Sequence, residues 1–125
     1  VKQADQTAIR SIVERQLQAF RTDDAMRAFA FASPSIQAQF ETPENFMQMV
    51  RLGYAPVYRP RSVIFEDIIT VEGMPAQKVM LMSAAGELVM ALYLMQQQHD
   101  GSWRIHGCLI VPIEGRTPDQ WEESQ

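Results

Sequence analysis

Near residue 61 the spacing of apolar side chains changes from steps of three and four to steps of two. That change limits the chain to a helical half followed by a sheet half, because a helix buries a stripe with period 3.6 and a strand a face with period 2. The segment between the halves, residues 54–61, holds Tyr54, Pro56, Tyr58, Arg59, Pro60 and Arg61. With the β-branched run that continues it to Val71, it is the most polar-aromatic stretch of the chain and marks the crossover. With 125 residues, both halves share one core and one domain over residues 1–125.

The helical half covers about residues 5–53. Ile9, Ile12, Val13, Leu17 and Phe20 form one apolar stripe, and Asp5 is read as the N-cap of this first helix. Thr22-Asp23-Asp24 ends it and caps a second helix, whose Met26, Phe29 and Ala30 are expected to face inwards. Ser33-Pro34 and Thr42-Pro43-Glu44 each place a capping hydroxyl before a proline at the first helical position, which starts two more helices. Gly53 is a natural stop.

The sheet half covers about residues 61–113, with strands expected at 61–71, 76–83, 87–97 and 102–112. The turn signals between them are Gly73-Met74-Pro75, Ala85-Gly86 and Asp100-Gly101. Connections this short imply an antiparallel meander. Strand alternation groups Val63, Phe65 and Ile69 on one face, against Ile64 and Ile68. It likewise sets Leu88, Met90, Leu92 and Leu94 against Val89, Ala91, Tyr93 and Met95. Both faces are apolar, whereas a sheet with helices on one side needs only one apolar face. A second copy of the chain, making a homodimer through the sheet, is the simplest cover for the other. Thr117-Pro118-Asp119-Gln120 starts a short last helix at about 117–124, anchored by Trp121.

The order of helices before a four-stranded meander that ends in Asp100-Gly101-Ser102-Trp103-Arg104-Ile105 resembles the nuclear-transport-factor-2-like (NTF2-like, or cystatin-like) cone fold. Further residues carry a closer resemblance. They are Phe31-Ala32-Ser33-Pro34, Ile36-Gln37, Phe40, Thr42-Pro43-Glu44, Phe46, Pro56-Val57-Tyr58-Arg59-Pro60-Arg61-Ser62 and Trp103-Arg104-Ile105 with Gly107-Cys108. Across roughly residues 6–113 these are similar to a bacterial family, domain of unknown function 4864. The resemblance implies an α+β fold with N-terminal helices on a curved four-stranded antiparallel sheet. It also implies a cleft between helices and concave sheet face, and often a dimer. It implies no reaction, since this scaffold serves isomerases, dehydratases, hydrolases, cyclases and non-catalytic modules, and it brings no catalytic residue with it.

Composition narrows the function classes. A net charge of −4 provides no basic field for nucleic acid, and no apolar run reaches the length of a membrane span. Cys108 is the single cysteine, so no internal disulfide forms. The chain starts at Val1, which fits a removed leader, so the expected location is the bacterial cytoplasm or periplasm. No phosphate loop, His-Glu-x-x-His, Cys-x-x-Cys or Gly-x-Ser-x-Gly motif is present, so no cofactor and no metal is expected.

The candidate ligand-binding residues are Tyr54, Tyr58, Arg59, Arg61 and His106. Arg59 and Arg61 flank Pro60, and arginine forks bind carboxylate or phosphate in bidentate fashion. The alternative is that they pair with Glu66, Asp67 or Glu41 and clamp the crossover. His106 and Cys108 stand two apart on a strand, which puts both on one face as a nucleophile pair, a partial metal site or simply core. Glu66 and Asp67 are adjacent and project to opposite faces, so unless a bulge intervenes one carboxylate faces the more buried side, as a general base or as an edge charge. Met80 and Met82 share a face, as packing or as soft-metal ligands.

Three functions remain open. One is a binding or interaction module for a small apolar or anionic ligand, with a cleft lined by Phe20, Phe29, Phe46, Tyr54, Tyr58, Met90 and His106 and with Arg59 or Arg61 at its mouth. The second is a cofactor-free isomerase, cyclase or dehydratase, with His106 or Asp67 as base and Tyr58 as proton donor. The third is a structural dimer with a filled cone. The balance leans away from an enzyme, with no catalytic residue assigned.

Overall fold

The computed structural model describes residues 1–113; the helix expected at about 117–124, with Trp121, lies outside them. Five helices precede four strands: α1 (Gln3–Arg21), α2 (Ala25–Ala30), α3 (Pro34–Phe40), α4 (Pro43–Gly53), α5 (Ala55–Tyr58), β1 (Ser62–Val71), β2 (Met74–Met82), β3 (Leu88–Gln97) and β4 (Trp103–Pro112). The strands form one antiparallel sheet in the order β1-β2-β3-β4. This is an α+β architecture with an open four-stranded sheet. Among the described residues no helix is long and apolar enough to cross a membrane.

The helix starts follow their capping chemistry. Ser33 Oγ accepts from the Ile36 N–H at 3.4 Å and Thr42 Oγ1 from the Asn45 N–H at 3.1 Å, each just before a proline. Asp24 caps α2 by accepting from the Arg27 N–H. Two helix expectations change. Helix α1 starts at Gln3, so Asp5 lies in its first turn rather than capping it, and accepts from the Trp103 indole N–H at 3.4 Å. In α2, Ala28 is the buried residue and Met26 is 74% exposed, because six residues hold too little helix for a broad apolar face.

The core lies between α1, the crossover and one sheet face. Ile9, Val13, Leu17 and Phe20 meet Val79, Leu81, Ala91, Tyr93 and Met95. Phe46 of α4 is an aromatic hub, with Phe20, Phe29 and Phe40 at ring-centroid distances of 6.2, 5.5 and 5.8 Å.

Two β-bulges set which side chains reach this core. In β1 the register shifts between Phe65 and Ile68, so two residues of β1 stand against one of β2. Ile68 thereby joins Val63 and Phe65 on the inner face, and Ile69 turns outwards, the reverse of simple alternation. The buried Gln77 satisfies the bulge, its Nε2 donating to the Glu66 carbonyl at 2.7 Å and the Lys78 carbonyl at 3.0 Å. In β4 the register shifts between the pairs Leu94–Gly107 and Met95–Ile105, and His106 is the extra residue.

The opposite sheet face is partly open. Ile64, Ile69, Leu109 and Val111 are 55%, 36%, 46% and 45% exposed, and Met80 and Met90, paired across β2 and β3, lie beside them.

Candidate functional site

A cavity of about 420 Å³ opens between α3, α4 and the inner face of β3 and β4. Its walls come from every layer. Gln16 and Phe20 come from α1, Ile36 and Phe40 from α3, and Phe46, Met49 and Val50 from α4. Tyr54 and Val57 come from the crossover, and Tyr93, Ile105 and Cys108 from the sheet. Among the described residues no Asp, Glu, Lys, Arg or His lines it. The surface is that of a hydrocarbon-lined pocket with few polar groups, the usual make-up of a small-molecule site.

Three of those polar groups matter. Gln16 is buried on the apolar stripe of α1 and donates its Nε2 to the Ala28 carbonyl at 3.1 Å. Tyr93 is 1% exposed, and its Oη is a buried polar atom without a hydrogen-bond partner among the described residues. Such an orphan is uncommon in a folded protein. Cys108 pairs with Tyr93 across the β3–β4 ladder. Burial pushes the Tyr93 phenol well above its ordinary range, with the neighbouring Cys108 adding to the effect, and pushes the Cys108 thiol up to about 12. Both groups are therefore protonated at neutral pH.

The crossover residues form a separate cluster outside the cavity, centred on Asp23 in the α1–α2 turn. The Tyr58 hydroxyl donates to Asp23 Oδ1, Arg51 Nη2 reaches the same oxygen at 3.2 Å, and Arg59 Nη2 reaches Oδ2 at 2.6 Å. The guanidiniums of Arg51 and Arg59 also lie 5.4 and 5.0 Å from the Tyr58 ring centroid. The Tyr58 and Arg51 hydrogen bonds, followed by the positive charges of Arg59 and Arg51, hold the Asp23 carboxyl below its ordinary value. Arg59 is thus clamped at the crossover, but by Asp23 rather than by Glu41, Glu66 or Asp67. Arg61 is exposed, with its backbone N–H donating to the Met82 carbonyl at 2.7 Å. Lys78 takes two of those three carboxylates, Glu66 at 3.8 Å and Asp67 at 3.5 Å.

The bulge at His106 separates it from Cys108, so the shared face expected from their spacing is corrected. Cys108 enters the cavity, while His106 Nδ1 lies 2.8 Å from Ser33 Oγ and 3.4 Å from Ser35 Oγ at the start of α3. Of the five residues singled out from sequence, Tyr54 lines the cavity, Tyr58 and Arg59 meet at Asp23, and His106 and Arg61 stand elsewhere. Phe20 and Phe46 also line the cavity, Phe29 packs behind Phe46, and Met90 belongs to the outer face. Tyr93 and Gln16 were not among the sequence candidates. Their signals were present: Tyr93 has the parity of Val89, Ala91 and Met95, and Gln16 lies three residues after Val13 and four before Phe20. Among the described residues no three His, Cys, Asp or Glu side chains come together to hold a metal ion.

A family model described as a domain of unknown function (DUF4864) matches residues 2–118. The match spans nearly the whole chain, and the protein belongs to that family. No curated protein and no solved structure matches it.

Proposed function

We propose that this member of the DUF4864 family is a small-molecule-binding domain of the NTF2-like cone type, with its ligand held in the cavity between the helices and the sheet. The observation that carries this reading is the cavity itself, about 420 Å³ of space walled by aromatic and aliphatic side chains. That volume lies within the range of roughly 300–1,000 Å³ typical of ligand pockets. Helices on one face of a four-stranded antiparallel meander support the cone assignment.

Binding without catalysis fits the distribution of polar groups. An isomerase or cyclase needs a base and a donor within reach of one point. Here His106 is held at Ser33, Asp67 at Lys78 and Tyr58 at Asp23, three places outside the cavity lining. The test is a titration with Nile red, a neutral dye that brightens in apolar surroundings. Wild type is expected to give a saturable increase, and Met49→Trp, which fills the half-buried rim, a much weaker one. No saturable increase with wild type rejects the reading.

The outer sheet face supports a second, compatible reading, in which two copies associate through it. Ile64, Leu109 and Val111 are each close to half exposed on one face, and an apolar patch of this kind marks an interaction surface. Sedimentation equilibrium is expected to show a wild-type dimer that Ile64→Lys with Val111→Lys converts to monomer. A monomeric wild type at high micromolar concentration removes this reading and leaves the first intact.

A further inference from the structure

We propose, building on the binding reading above, that the cavity takes a neutral, largely apolar molecule bearing a hydrogen-bond acceptor such as a ketone oxygen, and that Tyr93 Oη is the donor that engages it. The starting observation is the orphan. Tyr93 lines the cavity, yet its hydroxyl is buried with no partner among the described residues. A buried phenol without a partner forfeits its hydration and gains nothing in return. Phenylalanine would fill the same space without that penalty, so the hydroxyl costs the empty protein stability. A guest acceptor offsets the cost, and ligand recognition is a role in which the hydroxyl is useful.

The sense of the hydrogen bond follows from the surroundings. The phenol is held in its protonated form by burial, so it offers a hydrogen. The cross-strand neighbour, Cys108, is likewise a neutral thiol, so there is no thiolate at this wall to add covalently to a carbonyl or to accept strongly from the phenol. The best unfilled interaction is therefore from Tyr93 to an incoming oxygen or nitrogen lone pair.

The same lining excludes an anion. No Lys, Arg or His among the described residues faces the cavity, and the Arg59 guanidinium is engaged by Asp23. A carboxylate placed here would lose its hydration with no counter-charge. A ketone, ester or ether oxygen makes no such demand, and the Phe20, Phe40 and Phe46 rings offer contact to an apolar or aromatic body. Because the hydroxyl is sealed from water, engagement includes a small rearrangement of the lining. Met49, unbranched and half-buried at the rim, has the rotamers for it.

The experiment compares two isosteres, benzophenone and 1,1-diphenylethylene, which differ by an oxygen in place of a methylidene group. Each is titrated into the full chain and followed by protein NMR, with diphenylacetate as an anionic third probe. Benzophenone is expected to bind roughly three- to tenfold tighter than the alkene, the worth of one hydrogen bond. Tyr93→Phe is expected to abolish that difference while still binding both, and diphenylacetate to bind weakest. Equal affinity of the isosteres for wild type overturns the Tyr93 donor and leaves the pocket standing. A ketone preference that survives Tyr93→Phe does the same. Tightest binding of diphenylacetate overturns the neutral class. If none of the three binds, the pocket reading falls together with the inference. The isostere comparison on wild type keeps the test independent of how well the variant folds.

Discussion

Tyr93 and Cys108 face one another across the β3–β4 ladder, and both look into the cavity because β4 carries one extra residue between Ile105 and Cys108. The extra residue is His106. One insertion therefore builds the polar spot in the cavity and removes the imidazole from it, handing His106 to the Ser33 cap.

The orphan hydroxyl makes a prediction for the empty protein. Tyr93→Phe is expected to leave stability unchanged or raise it by about 1–3 kcal/mol, the usual desolvation penalty of a lone buried polar group. Urea unfolding followed by circular dichroism measures this. A loss of more than about 1 kcal/mol would mean that the hydroxyl has a stabilising partner in solution.

Cys108 gives a prediction in pH. Its folded value of about 12 lies above the ordinary 9.0, so the folded state holds the proton more tightly than the unfolded chain. The corresponding stability is complete below about pH 9 and is lost as pH rises towards 12. The slope is about 1.4 kcal/mol per pH unit within that window. Tyr93 acts in the same direction above its ordinary 10.0. Cys108→Ala is expected to flatten the alkaline loss between pH 9 and 10, measured by urea midpoints. At neutral pH the native thiol should react slowly with a disulfide reagent and quickly once unfolded; equal rates would show an accessible thiolate.

Ser33 joins two functions in one hydroxyl, the α3 cap and the His106 contact. Ser33→Ala is expected to cost about 0.5–2 kcal/mol as a lost cap. A double-mutant cycle with His106→Ala should return a coupling of about 0.5–1.5 kcal/mol, the size of one hydrogen bond. Additive effects would show that the 2.8 Å approach carries no energy.

Asp23 serves three partners from a left-handed backbone position at φ 54°. Asp23→Asn keeps a residue tolerant of that conformation, removes the charge and turns one of the two accepting oxygens into an amide donor. The carboxyl is held below its ordinary 3.8, so its stabilisation is present above that pH and is lost as pH falls further. The variant is expected to have a lower urea midpoint at neutral pH and a flatter profile below 3.8. Because the group is exposed, added salt should shrink the neutral-pH difference. An unchanged midpoint at low salt would show that the clamp is not stabilising.

Much of this architecture is legible in the chain. The change of period placed helices before strands, and the Ser33-Pro34 and Thr42-Pro43 pairs located two helix starts. Gly73, Gly86 and Gly101, all at positive φ, mark the three hairpin turns that fix the strand order. The site was less legible. Tyr58, Arg59 and His106 are polar groups beside aromatic or apolar neighbours in the chain, a pattern that suits a structural clamp as well as a ligand contact. The cavity residues Ile36, Phe40 and Met49 look like ordinary core in sequence.

What the sequence determined by itself is local: helix caps, turn positions, the period of each element and the antiparallel order that short turns enforce. Those features depend on residues within a few positions of one another. Tertiary structure decided which face each side chain occupies beyond the bulges at Glu66–Asp67 and His106. Alternation carries no record of an inserted residue until a neighbouring strand sets the register. It also decided that Asp23 reaches Tyr58 and Arg59, 35 and 36 positions away. The gap between α3, α4 and the sheet, where the Tyr93 hydroxyl is left without a partner among the described residues, depends on how three layers meet, and no single segment encodes that distance.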